Sequence, residues 1–170
     1  MQEHKDKIKF MGNPLTLVGE PIKVGAPAPD FTVLGNDLHP VTLSSFRGKT
    51  VILSTVPSLD TGVCSIQTRR FNAEAAALAD DVVILTASCD LPFAQKRWCG
   101  AEGVDKVVTV SDHKETDLGA KYGLLIKELR LLARSVTVVD KDGVVRYHQL
   151  VDEVTSEPDY DHAIQAAKAL

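Results

Sequence analysis

Residues 57–64 read PSLDTGVC, and this stretch decides the fold because it joins a buried strand to the first turn of a helix. The run at residues 51–56 before it is apolar and rich in β-branched side chains, which is typical of a buried strand. Pro57 and Gly62 interrupt that run, and from Cys64 onward the apolar positions follow a helical period. The stretch therefore predicts a strand, a turn and a helix, with a cysteine near the helix N-terminus.

A cysteine in this position is activated by its surroundings. The unpaired backbone N–H groups and the positive end of the helix dipole favour the ionised form of the Cys64 thiol. Thr61 stands three residues earlier, so its hydroxyl lies about one helical turn from the sulfur. That hydroxyl can donate to the thiolate or to an oxygen that approaches it. The spacing of Pro57, Thr61 and Cys64 thus indicates a nucleophilic thiol.

The helix after this turn is predicted over residues 62–78. Its core-facing stripe contains four side chains at helical spacing, namely Cys64, Phe71, Ala75 and Leu78. Since the cysteine shares this stripe, we expect its sulfur to be only partly exposed.

The composition of the chain limits the possible functions. The 170 residues are 44% hydrophobic and 25% charged, which predicts one domain of ordinary size over residues 1–170. The net charge of -4 and the pI near 5.7 give no electrostatic signal for nucleic-acid binding or for an anionic membrane surface. The charged N-terminus has no signal-peptide pattern, and no segment approaches the roughly 18 apolar residues of a membrane span. We therefore expect a soluble cytoplasmic protein, with no nucleic-acid partner and no membrane insertion.

The order of predicted elements indicates an α/β fold. An N-terminal extension, residues 1–24, contains a β-hairpin with strands at 8–11 and 15–18. Further strands are predicted at 31–34, 41–43, 51–56, 82–87, 107–110, 135–139 and 144–150, and further helices at 92–99, 118–122 and 159–170. No regular element is predicted for residues 123–132. Strands that alternate with helices and end in an antiparallel hairpin predict a mixed central sheet flanked by helices on both faces.

The three cysteines are too few, and odd in number, for a secreted disulfide framework, so at least one thiol is expected to be free. A cysteine on a core-facing stripe is often only a small buried hydrophobic residue. The turn before Cys64 argues against that interpretation there. Cys99 precedes Gly100, a residue suited to a fraying helix end, and both a core role and a partner-thiol role stay open. Cys89 lacks such a setting, which favours a structural role.

Other kinds of site are not indicated by the sequence. A Cys-x-x-Cys pair, or a cysteine and a histidine at similar spacing, would suggest a metal site, and neither occurs. The missing Cys-x-x-Cys pair also argues against a simple thioredoxin-type exchanger. The five histidines are scattered along the chain, and we expect them at the surface or next to residues of the site, without a role as catalytic bases. Without a glycine-rich phosphate loop, no nucleotide and no other cofactor is expected.

Pro57, Thr61 and Cys64 together make the sequence resemble the peroxiredoxins, and residues 57–64 as a whole are similar to the bacterial thiol peroxidase subfamily of atypical two-cysteine enzymes. Further similarity to that subfamily lies in three regions, namely DLPFAQ at 90–95 with CGAEG at 99–103, ARSV at 133–136, and LVDEV at 150–154 with EPDY at 157–160. The resemblance covers essentially the whole chain. Cys89 matches no family role, and Trp98 stands where a different aromatic residue is expected.

The resemblance implies a thioredoxin-like fold, a homodimer and reduction by thioredoxin. It assigns to Cys64 the attack on hydrogen peroxide or on an organic or lipid hydroperoxide, which leaves a sulfenic acid that Cys99 converts to a disulfide. It gives Arg134 the role of stabilising the thiolate and polarising the O–O bond, and it places Thr61 and backbone N–H groups around the peroxide. Pro57 belongs to the same motif. Without the resemblance, a surface ion pair for Arg134 and a turn-forming role for Thr61 would be favoured.

Two alternative functions stay open from the sequence. The same fold could serve as a thiol-based redox sensor or relay that passes oxidation to a partner. A cysteine acyl hydrolase would require a histidine base beside Cys64. If the peroxidase assignment holds, the two thiols must come within reach, because a disulfide requires Cα atoms within about 7 Å. Cys64 and Cys99 are predicted on separate helices, so we expect local unwinding, eased by Gly62 and Gly100.

Overall fold

The computed structural model describes all 170 residues. Eleven strands are present: β1 (Glu3–Phe10), β2 (Asn13–Val18), β3 (Thr32–Gly35), β4 (Pro40–Thr42), β5 (Thr50–Thr55), β6 (Val82–Ser88), β7 (Val108–Ser111), β8 (Leu125–Ile126), β9 (Leu131–Leu132), β10 (Ser135–Val139) and β11 (Val145–Leu150). The α-helices are α1 (Gly62–Ala75), α2 (Pro92–Glu102), α3 (Asp117–Lys121) and α4 (Tyr160–Lys168). No helix is both long enough and apolar enough to cross a membrane.

Seven strands form the central sheet, in the order β11-β10-β5-β6-β7-β3-β4. The strands β5, β6 and β7 are parallel, and every other pair in this sheet is antiparallel. Parallel neighbours need crossover connections, which α1 supplies between β5 and β6 and α2 supplies between β6 and β7. The predicted mixed sheet is confirmed, and each predicted strand of it agrees with the observed one to within one residue at either end.

Both faces of this sheet are buried. Along β5 the side chains alternate, so that Val51 and Leu53 enter one core cluster while Ile52 enters the other. A strand covered on both faces needs no polar side, which explains the apolar residues 51–53 at its centre. Residues of α1, α2 and α4 belong to the cluster that contains Ile52, and residues of α3 and the N-terminal hairpin belong to the other.

The predicted N-terminal hairpin is confirmed, although β1 begins earlier than predicted. Residues 123–132, for which no element was predicted, contribute β8 and β9, which extend the hairpin to a four-stranded sheet in the order β1-β2-β8-β9. The hairpin also meets the C-terminal segment, since the Lys9 amide donates to the Asp152 carbonyl at 2.7 Å and the Val154 amide donates to the Lys9 carbonyl at 2.9 Å. The two ends of the chain are therefore joined.

Two helix ends differ from the predictions. Helix α1 ends at Ala75 instead of residue 78. The prediction that a helix ends near Gly100 is wrong, because α2 continues to Glu102 and ends where Gly103 adopts the left-handed conformation, φ 66°. Gly103 is suited to this conformation because it has no Cβ atom. Cys99 therefore lies inside a continuous helix.

Candidate active site

Cys64 is the third residue of α1 and carries a free thiol. The amides of Gly62, Val63 and Cys64 have no backbone acceptor, as expected for a helix N-terminus. The prediction of a partly exposed sulfur is wrong, because Cys64 is 0% exposed. Its side chain belongs to the core cluster that also contains Phe71. The thiol is thus surrounded by protein while it lies at the positive end of a helix.

The nearest charged group to this thiol is the guanidinium of Arg134. Arg134 immediately precedes β10 and is 1% exposed, and its Nη2 atom donates to Cys64 Sγ at 3.2 Å. Its other bonds go to neutral acceptors, the carbonyl of Val154 at 2.8 and 3.0 Å and the side-chain oxygen of Gln67 at 2.8 Å. A surface ion pair, the role favoured without the resemblance, is therefore wrong for this arginine. No carboxylate is paired to it, so its positive charge is available to a negative charge that develops on the sulfur.

Gln67 is part of this arrangement and was not identified from the sequence. It is 0% exposed on α1, accepts from Arg134 and donates through Nε2 to Ser54 Oγ at 2.7 Å. A signal existed, because Gln67 follows Cys64 by three residues and so lies on the core-facing side of the helix. A polar side chain in that position requires buried partners. The Val154 carbonyl, by contrast, could not be identified from the sequence, because a backbone carbonyl is present in every residue.

Thr61 and Pro57 lie where the motif predicts, at the turn before α1. The Thr61 hydroxyl donates to the Ser58 carbonyl at 2.9 Å, and the Thr61 amide donates to the same oxygen at 3.2 Å. In this structure Thr61 therefore forms the turn and makes no bond to the sulfur. Pro57 is buried directly after β5. Any contact of Thr61 with a peroxide stays a prediction.

A pocket of about 320 Å³ opens beside this turn. Arg134 is the charged residue in its wall, and the rest of the wall is mainly apolar or backbone. The lining residues are Phe10, Pro57, Ser58, Thr61, Gly62, Val63, Leu129, Leu131, Arg134, Val154 and Thr155. Because Arg134 reaches both this pocket and Cys64 Sγ, a molecule with a polar end and an apolar body fits the site.

Cys99 is also a free thiol, and it lies in a different hollow of the surface. It is partly buried against the same core cluster as Cys64, and its Sγ atom lies 3.5 Å from Thr109 Oγ1. This second hollow, of about 440 Å³, is lined by Cys99, Thr109 and the turn at residues 35–37. The structure thus places both thiols on one core cluster and does not join them.

Cys89 and the histidines lie apart from this site. Cys89 packs against the other core cluster, and burial together with the carboxylates of Asp112 and Asp90 raises its pKa to about 12. Its thiol stays protonated at neutral pH, which agrees with a structural role. No histidine hydrogen-bonds Cys64, so the base that an acyl hydrolase requires is not beside the sulfur. His148 instead pairs with Thr137 at 2.9 Å.

Comparison with known proteins places these features in a family. The Redoxin family model matches residues 23–164. The thiol peroxidase of Bacillus subtilis (strain 168) is 57% identical over 164 residues, which cover 96% of this chain and 98% of that protein. The thiol peroxidase of Halalkalibacterium halodurans is 56% identical over 162 residues, 95% of this chain and 97% of that protein.

Solved structures agree with the fold. A peroxiredoxin-like protein from Aquifex aeolicus has a TM-score of 0.90 and 40% sequence identity, and the match covers 98% of each chain. A thiol peroxidase from Chromobacterium violaceum has a TM-score of 0.84 over 95% of each chain, and at 18% identity it bears on the fold alone. The thioredoxin-like fold implied by the resemblance is confirmed.

Proposed function

This chain belongs to the Redoxin family, and we propose that it reduces hydroperoxides with Cys64 as the nucleophile and Cys99 as the partner thiol. Thiol-dependent peroxide reduction is its activity, given relatives named thiol peroxidase at 57% and 56% identity over nearly its whole length. The observation that supports Cys64 as the reacting group is its 3.2 Å contact with the buried Arg134 guanidinium beside an apolar pocket.

In the first step the Cys64 thiolate attacks the terminal oxygen of the hydroperoxide. An S–O bond forms and the O–O bond breaks, so the sulfur is oxidised to a sulfenic acid and the peroxide is reduced. The leaving oxygen takes a proton and departs as water or an alcohol. The apolar residues of the pocket wall, such as Phe10 and Leu131, support alkyl hydroperoxides as substrates beside hydrogen peroxide.

Ionisation alone supplies only a small part of the rate. A free cysteine thiol is already about 3% ionised at neutral pH, so complete ionisation increases the rate by about 30-fold, or about 2 kcal/mol of barrier. The rest requires orientation and stabilisation of the charge that develops on the oxygens. We assign this to Arg134 and to the free amides at the start of α1. The Thr61 hydroxyl, which donates to the Ser58 carbonyl in the structure, donates to a peroxide oxygen instead when substrate binds. Pro57 shapes the pocket wall.

In the second step Cys99 attacks the sulfur of the sulfenic acid. An S–S bond forms, the S–O bond breaks, and the hydroxyl leaves as water with the proton of the Cys99 thiol. The two Cα atoms must approach to about 7 Å, which requires α2 to unwind around Cys99. Gly100 inside the helix favours this, because glycine in a helix interior destabilises it by about 1 kcal/mol relative to alanine. A dithiol protein of the thioredoxin type then reduces the disulfide, and the enzyme acts as a homodimer.

Three variants, each with one cysteine replaced by serine, test these roles. In an assay with thioredoxin, its reductase and NADPH, Cys64→Ser abolishes peroxide turnover. Cys99→Ser allows one equivalent of peroxide to be reduced and then stops. Cys89→Ser is the matched control and retains turnover. Mass spectrometry of the oxidised protein is expected to locate a bridge between Cys64 and Cys99.

Several results would contradict the proposal. Full turnover by Cys99→Ser would remove Cys99 from the cycle. An intact enzyme that forms the disulfide but shows no steady-state turnover would favour the redox relay instead. Oxidation at Cys89 in place of Cys64 would show that Cys89 is the thiol that reacts with peroxide.

A further inference from the structure

The carboxylate of Asp90 connects the turn before Cys64 to the segment that leads into the Cys99 helix. Its Oδ1 atom accepts from the Ser58 hydroxyl at 2.7 Å, and its Oδ2 atom accepts from the Leu59 amide at 2.8 Å. Oδ2 also accepts from the Ser88 hydroxyl at 2.7 Å. Asp90 itself lies between β6 and α2. Two of its three donors therefore belong to the turn that forms the pocket wall.

The turn depends on this carboxylate through Ser58. Ser58 uses its carbonyl to accept from the hydroxyl and amide of Thr61, and its hydroxyl oxygen accepts from the Asp60 amide at 3.2 Å. Asp90 therefore fixes Ser58, and Ser58 in turn fixes Thr61. Pro57, Ser58 and Thr61 are all part of the pocket wall. The position of that wall relative to Cys64 follows from the position of Asp90.

The other side of Asp90 is anchored to the central sheet. Its carbonyl accepts from the Ser111 hydroxyl at 2.5 Å, at the end of β7. Ser88, at the end of β6, accepts from Gln95 Nε2 at 3.0 Å, and Gln95 is 0% exposed. Asp90 is thus fixed by the ends of β6 and β7, and its carboxylate in turn fixes the turn at residues 57–61.

The carboxylate of Asp90 accepts every bond that its side chain makes. All three partners of its carboxylate are donors, and no lysine, arginine or histidine forms an ion pair with it. An asparagine would have nearly the same shape, but it carries no charge, and its NH₂ group would face either the Leu59 amide, which cannot accept, or the Ser58 hydroxyl, which would have to reverse its bond. Asp90→Asn therefore breaks part of the connection without creating a cavity.

We propose that Asp90 is a positioning residue for the reaction of Cys64 with hydroperoxide, which it supports by fixing the turn at residues 57–61. This inference rests on the role of Cys64 proposed above. The contact between Cys64 and Arg134 depends on other partners, Gln67 and the Val154 carbonyl. Loss of Asp90 therefore displaces Thr61 and the pocket wall while it leaves the paired thiol in place. Peroxide reduction, in which the wall orients the O–O bond, therefore suffers more than alkylation, in which no O–O bond has to be oriented.

The test compares these two reactions at Cys64 in chains that carry Cys89→Ser and Cys99→Ser, so that one thiol remains. The second-order rate constants with hydrogen peroxide and with iodoacetamide are measured for the parent, for Asp90→Asn and for Asp60→Asn. Asp60 is the matched control, since it is an exposed carboxylate of the same turn whose side chain makes no hydrogen bond. For Asp90→Asn the ratio of the peroxide rate to the alkylation rate is expected to fall about 10- to 100-fold. For Asp60→Asn it stays within about twofold of the parent.

An Asp90→Asn ratio equal to that of Asp60→Asn would overturn this inference and leave the proposed function intact. A parent in which peroxide does not oxidise Cys64 to the sulfenic acid would overturn the proposed function, and this inference with it. If Asp90→Asn does not fold, Ser58→Ala carries the same test, because it removes one donor of the turn and keeps the carboxylate. An unchanged ratio in Ser58→Ala would then count against the role of Asp90.

Discussion

The Nη2 atom of Arg134 lies 3.2 Å from Cys64 Sγ, and the same nitrogen donates to the Val154 carbonyl at 2.8 Å. The guanidinium is buried among neutral acceptors, so no carboxylate offsets its charge. A buried cation of this kind is costly by itself and is stabilised by an anion next to it. The position of Cys64 Sγ beside this guanidinium is where such an anion would lie, and we expect the pair to contribute to the stability of the fold as well as to the reaction.

Replacing Arg134 by lysine tests the contribution of the guanidinium to the reaction of Cys64. In Arg134→Lys the ammonium keeps the charge but cannot reach the sulfur, Val154 and Gln67 together, since it lacks the planar guanidinium fork. The second-order rate constant for peroxide is expected to fall by about 10²- to 10³-fold, measured by stopped flow. Arg69→Lys, at a half-exposed ion pair with Glu102, is the control and keeps the parental rate. Equal rates in the two variants would remove Arg134 from the reaction.

Gln67 is expected to act through Arg134. Gln67→Leu leaves Arg134 Nη1 and Ser54 Oγ without partners, which lowers the free energy of unfolding by about 1–3 kcal/mol. Because the guanidinium then loses one of its fixed bonds, we also expect a fall of about tenfold in the peroxide rate. Urea denaturation and stopped flow measure the two effects. Gln165→Leu on the exposed side of α4 serves as the control, and a similar response there would speak against a specific role for Gln67.

The Cys89 thiol is expected to resist alkylation in the folded protein. Burial is the main reason that its pKa is raised to about 12, so almost none of it is ionised at neutral pH. Iodoacetamide labelling followed by mass spectrometry should leave Cys89 unmodified until urea unfolds the chain, when all three cysteines react. Rapid labelling of Cys89 in the native state would contradict its structural role.

Asp112 and His148 are expected to change stability with pH in opposite directions. Burial raises the pKa of Asp112 from 3.8 to about 6, despite hydrogen bonds from the Gly119 and Leu118 amides. The folded state then binds this proton more tightly than the unfolded state does. The contribution of Asp112 to the free energy of unfolding therefore increases as the pH falls through 6 toward 3.8. Burial lowers the pKa of His148 from 6.5 to about 4, so its contribution is lost as pH falls through the same range. Each change amounts to about 3 kcal/mol.

Single substitutions separate the two contributions. Between pH 4 and 6, His148→Asn should lose less stability on acidification than the parent, and Asp112→Asn should lose more. The free energy of unfolding, taken from urea titrations at several pH values, gives the slope for each variant. Identical slopes in all three proteins would show that neither group titrates as its burial requires.

Trp98 is expected to report the unwinding of α2. It precedes Cys99 in that helix and is 9% exposed, so a local opening changes the surroundings of its indole. Addition of peroxide should change the tryptophan fluorescence at the rate of disulfide formation. In Cys99→Ser this phase should be missing. A disulfide that forms fully with constant fluorescence would argue that α2 stays folded.

The inner strands of the central sheet could be predicted closely, because burial on both faces makes the centres of β5 and β6 apolar and rich in β-branched residues. The strands β8 and β9 could not, since each has two residues and forms only by pairing with β2 or with the other. The end of α2 was missed for a similar reason. Glycine weakens a helix interior by about 1 kcal/mol, which the packing of Trp98 on the core cluster outweighs.

The position of Cys64 at the start of a helix could also be predicted, because the turn and the helix N-terminus are local features of the sequence. The resemblance supplied Arg134, and the structure places it beside Cys64, 70 positions earlier in the chain. The groups that hold the site together were missed. Asp90 and Val154 lie in the segments at 90–95 and 150–154 that resemble the family, but the sequence assigned no role to either, and only the folded chain brings them to the site.

The joining of the two chain ends has a consequence for protein synthesis. Arg134 receives its carbonyl acceptor only when residue 154 has been made, and the segment around that residue is in turn held by Lys9 in the first strand. Strand β1 is therefore made long before the residues around 152–154 that it contacts. Before that point a nascent chain that already contains Cys64 cannot fix its guanidinium in the observed position, so we expect the sulfur to gain its Arg134 contact only after residue 154 has been added.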